Sequence, residues 1–342
     1  MSVKPLSFYR DEYIRNQPSA FCVGCGDGII LNCFVRALDG LGTPKENVLC
    51  VSGIGCAAWI PSPNFNGDTL HTTHGRALAF ATGAKAFNSD LTTVVFTGDG
   101  DGAGIGGNHL IHAARRNIDI TTILVNNMSY AMTGGQIAPT TPHDERTATS
   151  PYGNPENPFD VVELVSAAGA TYVARWTTNH VVELTSSIGE SIQHRGFSFI
   201  EVLSQCPTQQ RRMFDMREPV HRLPRRLLEM FSESTYVRGR PERGEYRYAV
   251  PEGATEEAQN DIESELGDSA STSLVDHLAF GRVIRIEAVD AGLEWDSVGS
   301  LEAIHRLVGP TEGKVELGVF VREEKPEFTE SLHRVIRNAG GG

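Results

Sequence analysis

One stretch, VVFTGDGDGAGIGGNHLIHAARRNIDITTILVNNMSYAMTGGQ from Val94 to Gln136, restricts the possible folds more than any other part of the chain. Val94, Val95 and Phe96 form a short apolar run that stops at Gly98, and Ile123, Leu124 and Val125 form a second that stops at Asn126 and Asn127. Both runs read as buried strands, and Ile105, His109, His112 and Ala113 between them fall at helical spacing. A crossover of this length joins two parallel strands in a right-handed unit. Asp99 and Asn127 then emerge at the same sheet edge, where ligands of open α/β sheets bind. A carboxylate and an amide oxygen arriving from two strands can share one cation. Magnesium is the candidate, because it takes hard oxygens together with substrate phosphates. The glycines at 98, 100, 102, 104, 106 and 107 let backbone N–H groups approach a diphosphate at the helix start.

Three rival readings fit these residues less well. Asp99 and Asp101 begin like a calcium loop, but Ala103 and Leu110 stand where such a loop needs a polar ligand and a bidentate Glu. Gly102, Gly104 and Gly107 satisfy a dinucleotide fingerprint, yet the second strand ends in two asparagines rather than in an acid that would hold a ribose. A merely structural glycine turn leaves two acids inside it and two amides opposite it unexplained.

The chain of 342 residues, 40% hydrophobic, is long enough for one large α/β domain and an appendage. A net charge of −13 argues against broad nucleic-acid binding, for which a basic face is expected. The opening MSVKPLSFYRDEYIRN mixes charges without an apolar core, and no run of about 18 apolar residues occurs, so no membrane span and a cytoplasmic location are expected.

Helices at 28–38, 75–87, 159–168 and 179–194 alternate with strands at 48–52, 171–175 and 198–202 around the central unit, which predicts a doubly wound, mostly parallel sheet over residues 1–215. Residues 216–276 read as a linker or arm. The basic run carrying Arg211, Arg212, Arg217, Arg222, Arg225 and Arg226 leads into it, and an acidic stretch with no Lys or Arg between Arg247 and Arg282 follows. Residues 277–342 read as a small terminal subdomain, with strands at 280–289 and 314–321 around a helix at 301–307.

Cys22 and Cys25 form a C-x-x-C in FCVGCGDG, Cys56 closes GIGC, and Cys206 lies in SQCPTQ just past an expected strand. Cys33 and Cys50 fall inside an expected helix and strand and read as small buried hydrophobes. The four in loops could hold tetrahedral zinc or a [4Fe-4S] cluster, and their spacing does not separate the two.

With FCVGCGDG, GIGC, HTTHGRALAFATG, GDGDGAGIGGNHLIHAARRN, VNNMSYAMTGGQIAPTTP and SQCPTQ in this order, the sequence resembles the β subunits of 2-oxoacid:ferredoxin oxidoreductases, which bind thiamine diphosphate, over about residues 15–215. The resemblance implies that Cys22, Cys25, Cys56 and Cys206 hold a [4Fe-4S] cluster near the thiazolium. It also implies that Asp99, Asn127 and the Ser129 carbonyl ligate magnesium. Gly24, Cys25, Gly26, Gly55, Cys56, His74, Gly98, Gly100, Asp101, Tyr130, Met132 and Thr133 match positions around the cofactor, with His74 in contact with it. Without the resemblance, His74 reads equally well as a helix cap.

The implied reaction takes a 2-oxoacid, CoA and oxidised ferredoxin to acyl-CoA, CO2 and reduced ferredoxin, since an electron-rich decarboxylated adduct can give up electrons singly to an adjacent cluster. The family supplies the Glu that faces the aminopyrimidine from an α subunit, so an (αβ)2 heterotetramer is expected. Two positions depart from the family. Ala131 replaces the glycine of YGMTGGQ, and Trp59 stands where many relatives place a base that meets the substrate carboxylate. GIGCAAWIPSP and DTLHTTHGRALAFATG most resemble subunits acting on 2-oxoglutarate, with pyruvate or a branched-chain or aromatic 2-oxoacid next. Trp59 and Met132 would then line the substrate pocket. Outside this class, a non-redox thiamine-dependent decarboxylase with zinc and a nucleotide-binding regulator are the competing expectations.

Overall fold

The structure, a computed structural model, describes residues 4–15, 19–209, 235–238, 245–249, 285–289 and 316–339. It divides into two compact units, Met1–Arg222 with Glu324–Gly342, and Leu223–Glu323.

The first unit is built on six parallel strands, β1 (Val48–Ser52), β2 (Asp68–His71), β3 (Thr92–Gly98), β4 (Ile120–Asn126), β5 (Tyr172–Thr177) and β6 (Phe197–Leu203), in the order β2-β1-β3-β4-β6-β5. Every residue of β4, β5 and β6 is buried. Strands covered on both faces lose the alternation of a half-exposed strand and become the continuous apolar runs seen in the sequence.

Around the sheet lie α1 (Leu6–Tyr13), α2 (Asp27–Leu41), α3 (Ala77–Phe87), α4 (Gly107–Arg116), α5 (Val161–Ala167), α6 (Val181–Gln193) and α7 (Phe328–Ala339). Helix α2 buries Ile30, Phe34, Val35 and Leu38, and ends where Gly42, at φ 65°, lets Thr43 N–H close on the Leu38 carbonyl at 3.1 Å. Asp160 caps α5 by accepting the Glu163 N–H. No helix among the described residues is long and apolar enough to cross a membrane.

From β1 the chain moves outward to β2 on one side and returns to β3 on the other, so the crossovers diverge between β1 and β3. The carboxyl ends at such a switch point form the ligand crevice of an open α/β sheet.

Several details differ from the sequence expectations. Residues Asp99–Ile105 wind into a π-helical turn before α4 begins at Gly107. That turn breaks the helical phase counted from Ile105, which is consequently 54% exposed, and Leu110 and Ala114 join Ala113 in facing the core. Short α1 and β2 lack a strong periodic signal and escape the sequence reading, as does the amphipathic α7.

In the second unit, β7 (Thr235–Arg238), β8 (Glu245–Ala249), β9 (Arg285–Val289) and β10 (Glu316–Arg322) pair in the order β10-β7-β9-β8, with only the β8–β9 pair antiparallel. Two of these strands fall inside the expected arm, and α7 returns to the first unit, so the compact units do not follow the boundaries drawn from composition. The basic run, most of the acidic stretch and the expected helix at 301–307 lie outside the described residues.

Candidate cofactor site

Every chemistry-bearing loop follows the carboxyl end of a strand in the first unit or precedes α2. Asp99 directly follows β3 at Gly98 and is 3% exposed. Its Oδ1 accepts the Gly100 N–H at 2.8 Å and its Oδ2 accepts the Thr140 hydroxyl at 2.8 Å. Burial pushes its carboxyl up to about 7, against the opposing pull of those two donors. Such a carboxylate gains from a cation that takes its remaining lone pairs.

The two asparagines at the end of β4 divide their duties. Asn126 is buried, donating from Nδ2 to Glu201 Oε1 at 2.7 Å and accepting the Met128 N–H at 3.0 Å. Asn127 Oδ1 accepts the Ser129 N–H at 3.2 Å across Met128, whose φ of 60° turns the chain back toward Asp99. Ser129 Oγ is buried without a hydrogen-bond partner. Ala131 is absent from the described non-glycine residues with positive φ, so its methyl is compatible with the local backbone.

Asp101 uses both of its oxygens inside the protein. Oδ1 accepts the N–H groups of Ile54 at 3.1 Å and Gly75 at 2.6 Å, and Oδ2 accepts the Thr97 hydroxyl at 2.6 Å. It thereby binds the loops after β1 and β2 to the π-helical turn. His74 does not cap α3, which starts without a side-chain cap. Its Nδ1 lies 2.7 Å from Asp101 Oδ1, outside hydrogen-bonding angle, and its ring stands edge-on to Tyr130 at 6.3 Å. Tyr130 donates its hydroxyl to the Gly100 carbonyl at 3.2 Å, and a Cβ at position 100 would run into the Tyr130 ring. Burial, then Asp99 and Asp101, raise that phenol above its ordinary value.

Met132 and Thr133 are exposed, and Trp59, at the end of a 3-10 turn over Cys56–Trp59, is 39% exposed. Arg76 Nη1 reaches the carbonyls of His74 and Gly75 at 3.5 Å and of Ile105 at 3.4 Å, which gives this arginine a role in holding the loop.

The cysteines separate as expected. Cys33 and Cys50 are fully buried in α2 and β1. Cys22 and Cys25 lie in the loop before α2, Cys56 follows β1, and Cys206 follows β6, all as free thiols. Gly26 N–H donates to the Gln205 carbonyl at 3.3 Å, and a Cβ on Gly26 would collide with Ser204, so glycine is what lets the C-x-x-C loop lie against the Cys206 loop. Burial, Asp27, Cys206 and Cys56 raise the Cys25 thiol, while burial, Asp27, Cys206 and Cys22 raise that of Cys56. Cys25, Cys56 and Cys206 are therefore within electrostatic reach of one another, and Cys22 of Cys56. Among the described residues no three His, Cys, Asp or Glu side chains are arranged to hold one ion. A cluster makes a different demand, with its thiolates spread over several irons. Soft donors from three convergent loops fit such a group.

Asp27 sits within FCVGCGDG but carries no spacing signal of its own. It is 1% exposed, burial pushes it up to about 6, and its Oδ2 lacks a hydrogen-bond partner. Thr140 and Glu201 were also invisible, because neither belongs to a recognisable spacing.

Residues 41–202 match the family described as thiamine pyrophosphate enzyme, C-terminal TPP binding domain, which agrees with a parallel sheet carrying an acid and an amide at adjacent strand ends. Relatives narrow that class. The chain is 57% identical over 210 residues to 2-oxoglutarate synthase subunit KorB of Methanothermobacter thermautotrophicus, covering 61% of this chain and 73% of the relative. It is 53% identical over 210 residues to the subunit of the same name from Methanocaldococcus jannaschii, covering 61% and 77%. Among solved structures, 2-oxoglutarate:ferredoxin oxidoreductase from Magnetococcus marinus, with 2-oxoglutarate, coenzyme A and succinyl-CoA bound, aligns with a TM-score of 0.69 at 28% identity, over 97% of this chain and 91% of that one. The chain belongs to the thiamine diphosphate-binding β subunits of the 2-oxoacid:ferredoxin oxidoreductases, on the 2-oxoglutarate branch. The oxidoreductase reading thus holds over a non-redox decarboxylase.

Proposed function

We propose that this chain is the cofactor-bearing β subunit of a complex that converts 2-oxoglutarate, CoA and oxidised ferredoxin to succinyl-CoA, CO2 and reduced ferredoxin. The observation that carries this reading is a shared edge. Oxygen donors at the ends of β3 and β4 and the thiol-bearing loops after β1 and β6 all open on the carboxyl side of one parallel sheet. The names of the relatives and of the aligned structure support the substrate.

Asp99, Asn127 and the Ser129 carbonyl would hold Mg2+ against the diphosphate, and Cys22, Cys25, Cys56 and Cys206 would hold the [4Fe-4S] cluster. Thiamine diphosphate, when bound, supplies the carbon nucleophile and electron sink for decarboxylation. Around it, the glycine-rich turn from Gly98 to Asp101 and the Gly24–Gly26 and Gly55–Cys56 loops provide close backbone approach, with His74, Tyr130 and Thr133 alongside. Trp59 and Met132 form the apolar wall of the substrate pocket. A second substrate carboxylate needs a cation once desolvated. Arg76 is engaged with backbone carbonyls, so that cation comes from the α subunit of an (αβ)2 assembly.

The test is kcat/KM of the assembled complex for 2-oxoglutarate against pyruvate, 2-oxoisovalerate and phenylpyruvate, because specificity is that ratio. The expected result favours 2-oxoglutarate by more than about tenfold, ~1.4 kcal/mol. A smaller ratio, or a preference for an uncharged side chain, would overturn the substrate assignment and make Trp59 an apolar selector.

A further inference from the structure

Ala138 to Asn154 lies beside the strand ends without belonging to any strand or helix; His143, Asp144 and Arg146 are exposed, yet Thr140 is 5%, Thr141 0% and Asn154 1% exposed. One of their hydrogen bonds reaches Asp99, read above as a cation ligand, and others hold the strand end and turn beside it. Thr140 Oγ1 stands 2.8 Å from Asp99 Oδ2 and 2.9 Å from Asn126 Oδ1. A hydroxyl has one proton, so only one of these oxygens can receive it.

The surroundings decide which. Glu201 Oε2 is ion-paired with Arg175 Nε at 2.5 Å and its Oε1 accepts from Asn126 Nδ2, which fixes the asparagine amide with its oxygen toward Thr140. That amide oxygen already receives the Met128 N–H at 3.0 Å. The Asp99 carboxylate is the stronger acceptor, since charge-assisted hydrogen bonds are roughly twice as strong as neutral ones.

Thr140 is itself held in place. Thr141 Oγ1 donates to the Met128 carbonyl at 2.7 Å and accepts the Ala138 N–H at 2.8 Å, while Asn154 Nδ2 donates to the Thr141 carbonyl at 2.8 Å. One segment thus grips Asp99 on one side of the expected ligand set and the turn at Met128, just before Ser129, on the other.

We infer that Thr140, seated by Thr141 and Asn154, is a positioning residue that fixes the Asp99 carboxylate for the cation of the diphosphate site. The inference rests on Asp99 being a cation ligand. A near-octahedral magnesium site tolerates little ligand misplacement, and loss of a hydrogen-bond partner behind a ligand typically weakens metal binding by about 10–100-fold.

The experiment uses the assembled complex with thiamine diphosphate and Mn2+ as the probe, with free Mn2+ read by electron paramagnetic resonance. Thr140→Val should raise the Mn2+ concentration at half-saturation by about 10–100-fold, and Thr140→Ser, which keeps the hydroxyl, should restore it. Thr140→Ala repeats the deletion with less bulk, in case valine disturbs assembly. Parent-like titration of the Val and Ala variants would overturn the inference, as would a Ser variant as weak as Val, which would assign the effect to packing of the methyl. Asp99→Ala separates the two levels. If it retains the metal, the ligand reading itself falls; if it loses the metal while Thr140→Val does not, only the positioning role falls.

Discussion

At Asp99 a proton would compete with the proposed cation for one buried carboxylate. Burial holds the folded carboxyl at about 7, whereas an unfolded Asp titrates near ~3.9. Between those values the native chain keeps a proton that the unfolded chain has released, so the contribution of Asp99 to the stability of the metal-free protein falls as pH rises through that window. Asp99→Asn preserves shape without charge and should remove that contribution, leaving the fall from Asp27, pushed up to about 6, against the opposing rise from His180, which burial lowers to about 4. Urea midpoints of chelator-treated parent and variant from about pH 4 to about pH 7.5 check this, and parallel curves would remove Asp99 as a source. Asp99 and Asn127 could be read from sequence because a polar residue directly after an apolar strand has one edge to emerge from. The work of Asp101 could not, since its donors come from Ile54, Gly75 and Thr97 on three separate segments. A second prediction follows from the close approach at Gly100. Gly100→Ala drives a methyl into the Tyr130 ring, and overpacking of this kind costs about 1–3 kcal/mol. Denaturant midpoints should fall accordingly, and an unchanged midpoint would mean that the ring moves aside freely.

Among the elements, the π-helical turn over Asp99–Ile105 shows why a sequence can declare an element and still mislead about its face. The apolar strands and α4 were legible from their periods, but a π turn inserts extra backbone, and the count from Ile105 loses phase before Gly107. The attachment of helix α7 was illegible for another reason: its anchor is a single glutamate. Glu327 Oε1 accepts the N–H groups of Thr329 at 2.7 Å and Asp119 at 3.0 Å, and Oε2 accepts that of Glu330 at 2.8 Å. It thus caps α7 and ties it to the turn before β4, where Asn117 also donates to the carbonyls of Lys325 and Pro326 at 3.3 Å. Glu327→Ala leaves those donors unpaired and should cost about 1–3 kcal/mol, with Glu327→Gln in between. Chemical denaturation of both variants measures it, and an alanine variant as stable as the parent would show that α7 is held by its apolar contacts alone.

Across the whole molecule, the placement of acids and thiols says what the chain can and cannot do by itself. Serine at any of Cys22, Cys25, Cys56 or Cys206 should lower bound iron in anaerobically purified protein, while serine at Cys33 or Cys50 should leave it unchanged; one zinc per chain in place of iron would sink the cluster reading. Thiamine chemistry further needs a carboxylate against the aminopyrimidine, and the buried acids of the described site are accounted for otherwise. Asp99 is the proposed cation ligand. Asp101 is consumed by loop amides and Thr97. Glu201 is locked to Arg175 and Asn126, and Asp27 lies against the Cys25 thiol. The missing carboxylate is therefore expected from the α subunit, which also fits the need for a cation opposite the second carboxylate of 2-oxoglutarate. The purified β chain, reconstituted with iron, Mg2+ and thiamine diphosphate and supplied with CoA and ferredoxin, should bind its cofactors yet fail to turn over 2-oxoglutarate until the α subunit is added. Turnover by the single chain at a rate comparable to that of the complex would overturn this division of labour and place the activating acid within the β chain itself.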